Sequence, residues 1–508
     1  TQSSGVAERF PSWSPNGKYV AYFSDRSGEY QLTIRDMENP STEKKLTNFD
    51  SGYRYNIYWS PNSKQLVFID QTMTINLYDL DKNQLEVIDK QKWMYEGALS
   101  YFSVSWSPDS RYVSYAKELD NRATAIAAYD TKDGQVHQLT SGYYNDTSPA
   151  FDPDGKYLFF LTNRDFTPIY SNFDETWIYA NSTQIAAVSL SSDTPSLLFA
   201  KNDSTIIKKD EEKKSDDKKN ETKKDEKKEE SKVKEVKIDF AGFEDRVVIL
   251  PPEAGNYTGL AAVSGKIIYH HYPNTGSADK KKSIVYYDLD KREEKTIVDD
   301  ADAFQISADG KKILVSKQRS FSIVDVAPDQ KLDKKLPTSQ MEMTVVPREE
   351  WKQIFTDAWR LERDFFYDKN MHGVDWNAMR KQYGALVDNA VTRSDVNFLI
   401  GELIGELNAS HTYRGGGDEE QAPQRAVGYL GIDWELNNGA YKIKRIVNGA
   451  QWDTEVRSPL LASGLKVKEG DYILAVNGIP IDVTKEPFAA FEGIAGKTVD
   501  LTVNDKPT

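Results

Sequence analysis

The residue whose type and setting could do chemistry is His411, in Asn408-Ala409-Ser410-His411-Thr412-Tyr413 and just ahead of Gly415-Gly416-Gly417. An imidazole has an unperturbed pKa of about 6.5, so it can take up a proton near neutral pH. Held at the end of a rigid element and followed by a glycine-rich loop, it can face a cleft while staying fixed, which general-base chemistry demands. From spacing alone, a satisfied surface or core histidine remains an open alternative. The other four, His137, His270, His271 and His372, show no metal-site spacing. His270 and His271 fall together in a predicted strand, where neighbouring side chains point to opposite faces. The chain has no Cys, which excludes disulfides, zinc-thiolate sites and a cysteine nucleophile. No metal site is expected.

The elements that must position His411 lie just upstream. After Pro347 the apolar period becomes about 3.6: Trp351, Ile354, Phe355, Ala358, Leu361 and Phe365 share one helical face. A second helix is predicted over 376–387. A third, with Ser394 as its cap, turns Val396, Leu399, Ile400, Leu403, Ile404 and Leu407 inward and ends just short of His411.

Upstream of these helices a turn and strand recur. Trp13-Ser14-Pro15-Asn16-Gly17 is followed by Trp59-Ser60-Pro61-Asn62-Ser63, Trp106-Ser107-Pro108-Asp109-Ser110 and Phe151-Asp152-Pro153-Asp154-Gly155. Proline sets φ for each turn, and Asn or Asp followed by Gly or Ser closes it before an alternating strand. The aromatic positions 13, 59, 106 and 151 are 46, 47 and 45 residues apart, within the period of four-stranded propeller blades, about 40–50. Weaker copies fall at Ser264-Gly265 and Asp309-Gly310, and the 110 residues from Gly155 to Gly265 leave room for one further blade and an insertion. Seven blades over residues 1–345 are expected. Residues 208–232, almost all Lys, Asp, Glu, Ser and Asn, read as a disordered insertion.

Residues 426–508 carry a PDZ-like pattern: Tyr429-Leu430-Gly431-Ile432, Ser463-Gly464-Leu465-Lys466, then Glu469-Gly470-Asp471 and Asn477-Gly478 as turns around a strand. Such domains capture peptide ends by adding a strand to an open edge. Tyr429, Leu430, Gly431 and Ile432 are therefore candidate peptide-binding residues, and a purely structural role for the domain stays open beside that. The expected fold class is multidomain and mainly β: propeller, helical module (346–425), PDZ-like domain (426–508). A formal net charge of -14 gives no sign of the basic face that nucleic-acid binding needs. No apolar run of about 18 residues is present for a membrane-spanning helix.

In this order, and around Leu407-Asn408-Ala409-Ser410-His411-Thr412-Tyr413, the chain resembles the tricorn protease family of serine peptidases. The resemblance implies that His411 is the general base and Ser410 its orienting helper. It implies oligopeptide substrates, the propeller as their passage, a homo-hexamer, no cofactor, and a cytoplasmic setting unless a signal peptide precedes these residues. It also implies a six-bladed propeller upstream and, after the PDZ domain, an α/β domain carrying the serine nucleophile. On that reading these 508 residues alone turn over no peptide, since a base cannot replace a nucleophile. The competing expectation is a non-catalytic propeller–PDZ adaptor that binds peptides and leaves His411 facing solvent.

Overall fold

The computed structural model describes residues 5–94, 98–165, 167–200, 235–419, 422–450, 452 and 456–508. The chain divides into two compact units, Thr1–Gly415 and Gly416–Thr508. The expected insertion at 208–232 lies outside the described residues.

In the first unit, antiparallel sheets follow one another along the chain at 8–45, 54–90, 104–138, 146–249, 256–298 and 303–325. The first five have four strands and the sixth has three, with a single bridge from Ser322 to Lys335 beside it. Apolar clusters fill the spaces between successive sheets: Phe23 and Leu32 meet Leu66 and Phe68, and Ile126 meets Leu158 and Phe160. This is a β-propeller, with six blades among the described residues where seven are expected. The physical reason lies in the fourth blade. Its second strand, Tyr157–Thr162, and its third, Gln184–Ser189, are separated by an extra hairpin pairing Ile169–Ser171 with Thr176–Ile178. Its fourth strand, Val247–Ile249, comes only after a further excursion, of which Val236, Ile238 and Phe243 pack over the third and fourth blades. Among the described residues the long interval holds one interrupted blade.

The recurring turns tie blades together. The Trp59 indole donates to the Ser12 carbonyl at 3.0 Å and that of Trp106 to the Tyr58 carbonyl at 3.3 Å. The amides of Asn16 and Asn62 donate to the hydroxyls of Ser63 and Ser110 in the following turn. Trp13 is instead 59% exposed. It lines a cavity of about 610 Å³ among the inner-strand ends of the first three blades and the sixth.

Three helices complete this unit: α1 (Pro347–Phe365), α2 (Trp376–Val387) and α3 (Arg393–Gly405). Their core gathers Phe355, Trp359, Trp376, Val396, Leu403 and Leu407. The cap of α3 is Thr392, two residues before the expected Ser394. Asp395 stands three positions after Thr392, and the two close a reciprocal capping box. Helix α1 is bolted to the first blade by buried Arg360, which pairs with Asp25 at 2.8 Å and Asp357 at 3.2 Å. Arg363 adds a pair with Glu29 at 2.7 Å. A buried pair of this kind fixes position more than it adds stability, because desolvation offsets much of the attraction.

The second unit is a five-stranded sheet. Strand β1 (Ile432–Asn437) pairs with β2 (Ala440–Ile446), which pairs with β3 (Tyr472–Val476), flanked by β4 (Ile479–Pro480) and β5 (Leu501–Asn504). Asn477 and Gly478, with φ of 50° and 77°, form the tight turn between β3 and β4.

Candidate functional site

His411 follows α3 by a short, sharply turned segment. The last helical amides reach back, Leu407 to the Ile404 carbonyl at 3.2 Å and Asn408 to the Gly405 carbonyl at 3.0 Å. Asn408 then takes φ 47°, a left-handed conformation suited to a helix end. Ala409 packs against the helical core and its carbonyl accepts from the Thr412 hydroxyl at 3.2 Å. His411 itself has φ 61°, uncommon for a residue with a Cβ. Left-handed residues other than glycine persist where the surroundings impose them, and they gather at functional sites.

The imidazole is exposed. Its Nδ1 lies 3.2 Å from the Tyr413 hydroxyl, with the two rings edge to face. Ser410 is adjacent in sequence and exposed, yet among the described residues it makes no hydrogen bond with the ring. The partner at Nδ1 is thus Tyr413, to which the motif gives no role. The left-handed turn at 411 swings the two rings together, and nothing in the residue types announces it. Nε2 has no partner among the described residues. None of the residues lining the 610 Å³ cavity belongs to the helical module.

Nearby groups are structural in character. Tyr383 donates to Glu406 at 2.5 Å, and that bond, followed by burial, pushes the Tyr383 hydroxyl up to about 12. Backbone amides of Val391 and Thr392 hold the Asp395 carboxylate below its usual range. The remaining histidines separate clearly. His270 is 4% exposed and its Nε2 meets the Ala301 carbonyl at 2.8 Å, while His271 meets Tyr257 edge to face on the opposite face of the strand. His137 lies flat on Phe240. No group of three or more His, Asp or Glu poised to hold a metal occurs among the described residues.

The other candidate site lies in the second unit. Gly431 has φ 62°, and a Cβ there would lie 3.1 Å from the Ser458 Cα, so this position requires glycine. The Leu430 carbonyl accepts from the Ser458 hydroxyl and the Gly431 carbonyl from the Val447 amide at 2.9 Å. The amides of Leu430 and Gly431 donate to no described residue. Strand β1 has β2 on one side and no paired strand on the other among the described residues. Tyr429, 71% exposed, packs on Phe488, and Trp434 on the buried Phe491. Leu430 and Ile432 point into the core. An open edge beside free amides is what strand addition by a peptide end requires.

Comparison with known proteins agrees with this architecture. Residues 1–327 match the tricorn protease second beta propeller domain, 347–405 the tricorn protease C1 domain and 428–508 the tricorn protease PDZ domain. Tricorn protease homolog 1 of Streptomyces coelicolor is 28% identical over 98% of this chain and 47% of its own length. A putative tricorn-like protease C-terminal subunit of Sulfurisphaera tokodaii is 29% identical over 94% of this chain and 52% of its own length. The crystal structure of the tricorn protease superposes with a TM-score of 0.78 at 19% identity, over 98% of this chain and 46% of that one. The chain therefore spans about half the length of these relatives. With its propeller, helical module and PDZ domain matched in order, it belongs to the tricorn protease family.

Proposed function

We propose that this chain is the propeller, helical and PDZ portion of a serine peptidase that degrades oligopeptides, with His411 as general base. The observation that carries this reading is the ordered match of three tricorn protease domains, with His411 placed just past the helices of the second. With Nδ1–H donating to the Tyr413 hydroxyl, Nε2 presents its lone pair outward, ready to take the proton of an attacking serine. That serine and its oxyanion donors would come from outside these residues. Ser410 helps orient the assembled site, the propeller serves as passage for peptides, and the edge of β1 with the Tyr429–Ile432 loop receives a peptide end. A cytoplasmic homo-hexamer is part of the same reading.

The adaptor reading is favoured by one specific observation, the exposure of His411. Substituting His411 in the full-length protein separates the two. His411→Ala should lower kcat by about 10²–10⁴, the usual contribution of a positioned base, while leaving folding intact, because the exposed ring buries little. This 508-residue chain should not react with a serine-directed phosphonate. Undiminished turnover by His411→Ala, or labelling of a serine in this chain, rejects the assignment.

A further inference from the structure

Two residues past α3, the backbone leaves a carbonyl open. The Leu407 oxygen accepts no backbone amide among the described residues. Its partner is the imidazole of His372, whose Nδ1 lies 2.8 Å away. A carbonyl can only accept, so Nδ1 carries the proton, and in the neutral ring Nε2 is the acceptor. There it meets the Tyr367 hydroxyl. Both ring nitrogens are thus used: one clasps the Leu407 carbonyl just past α3, and the other is anchored to the chain just past α1.

The backbone that delivers this ring is itself unusual. Met371, His372 and Gly373 take φ of 51°, 54° and 83°, three consecutive left-handed residues. Only glycine adopts that conformation freely, and runs of it are strongly disfavoured for residues with a Cβ. The turn is held from two sides. Met371 is buried in the helical core, and the His372 and Asn370 amides donate to the Asp368 carboxylate. Strain sustained in this way puts the His372 ring in one place. That place is the carbonyl four residues before His411, where Asn408 then turns the chain.

We infer that His372 is a positioning residue for His411: clamped between the Tyr367 hydroxyl and the Leu407 carbonyl, its ring fixes where and in what direction the chain leaves α3. The clasp stands on geometry alone. Its consequence for turnover rests on the general-base reading of His411.

Hydrogen exchange on the 508-residue chain tests the clasp directly. His372→Leu should speed exchange of the amides at 407–413 about tenfold, the loss of one ordering hydrogen bond, with 396–403 unchanged. His372→Gln should restore the slow rate, because its amide can donate to the carbonyl and accept from the tyrosine. Tyr367→Phe, which deletes one hydroxyl, should give a smaller rise at the same residues and serves as the test if His372→Leu fails to fold. Unchanged exchange at 407–413 in the variant tested, or a rise spread evenly over the helical module, overturns the inference. In the full-length protein His372→Leu should lower kcat about 10- to 100-fold, as loss of an orienting partner does, with KM preserved and His372→Gln near normal. Failure of the His411 reading shows separately, as full turnover by His411→Ala, and leaves the exchange result to decide the clasp.

Discussion

The turns that close the blades and the loop that follows α3 are built from the same short polar residues and use them in opposite ways. In the third blade the Ser107 hydroxyl is fully buried. It donates to Asp109 at 2.6 Å and accepts from the amides of Arg111 and Tyr112. Ser60 does the same with Asn62, Lys64 and Gln65. Past α3, Ser410 is exposed and, among the described residues, makes no hydrogen bond, and His411 Nε2 has no partner. The difference is one of remaining capacity. A hydroxyl whose donor and acceptor positions are all taken holds the fold and can do nothing else. A polar group held by a constrained backbone, with its reactive atom unpaired, is available to another molecule.

Deleting equivalent hydroxyls should expose that contrast. Ser107→Ala strands the buried Tyr112 amide and should cost about 1–3 kcal/mol, read as a lower urea midpoint for the propeller transition. Ser410→Ala removes a solvated group and should stay within about 0.5 kcal/mol of the unaltered chain. A midpoint equally insensitive at both positions would show that the buried turn hydroxyl is replaced by water, and the contrast would fail.

The sequence shows the scaffold wherever residue type forces geometry. Proline and the recurring aromatic mark the blade turns, and the 3.6 period marks the first helix. Blade number is harder to read, because length alone cannot tell an extra blade from a hairpin and an excursion inside one, as the fourth blade demonstrates. Inner-strand irregularities are equally hidden: Phe10, Asn56, Ser148 and Gly259 all take positive φ where the register shifts, and they share no chemistry. At α3, Thr392 and Ser394 are both good caps, and only Asp395 decides between them. At the site, the placement of His411 after α3 follows from the pattern. Its contact with Tyr413 and the His372 clasp depend on left-handed backbone at non-glycine residues, which composition does not announce.

A glycine provides the next test, because the second unit also constrains its candidate site through backbone. Gly431→Ala sets a Cβ against Ser458 at a left-handed position and should destabilise that unit by about 1–2 kcal/mol. If the loop receives peptide ends, the same variant should weaken binding of a peptide with a free carboxyl terminus more than that of its amidated form. Stability lost with no change in either affinity would leave Gly431 a fold residue, on the side of Ser107.

The smallest effect concerns Glu118, a group of the propeller whose capacity is not spent. Its backbone amide donates to Gln91 at 2.8 Å, but its Oε2 is buried without a partner among the described residues. Burial disfavours the charged form and raises the carboxyl to about 7 from its ordinary 4.5. Between those values the folded state keeps a proton that the unfolded chain has released. Stability contributed by this group therefore falls as pH rises through about 4.5 to 7 and levels off above that. The side chain is only partly buried, so solvent screening keeps the effect modest. Glu118→Gln keeps the shape and removes the titration. Urea midpoints at pH 4.5 and pH 8 should differ less for this variant than for the unaltered chain. Equal differences would mean that the carboxylate finds a partner in solution, and that Glu118 belongs with Ser107 among the groups whose capacity is spent.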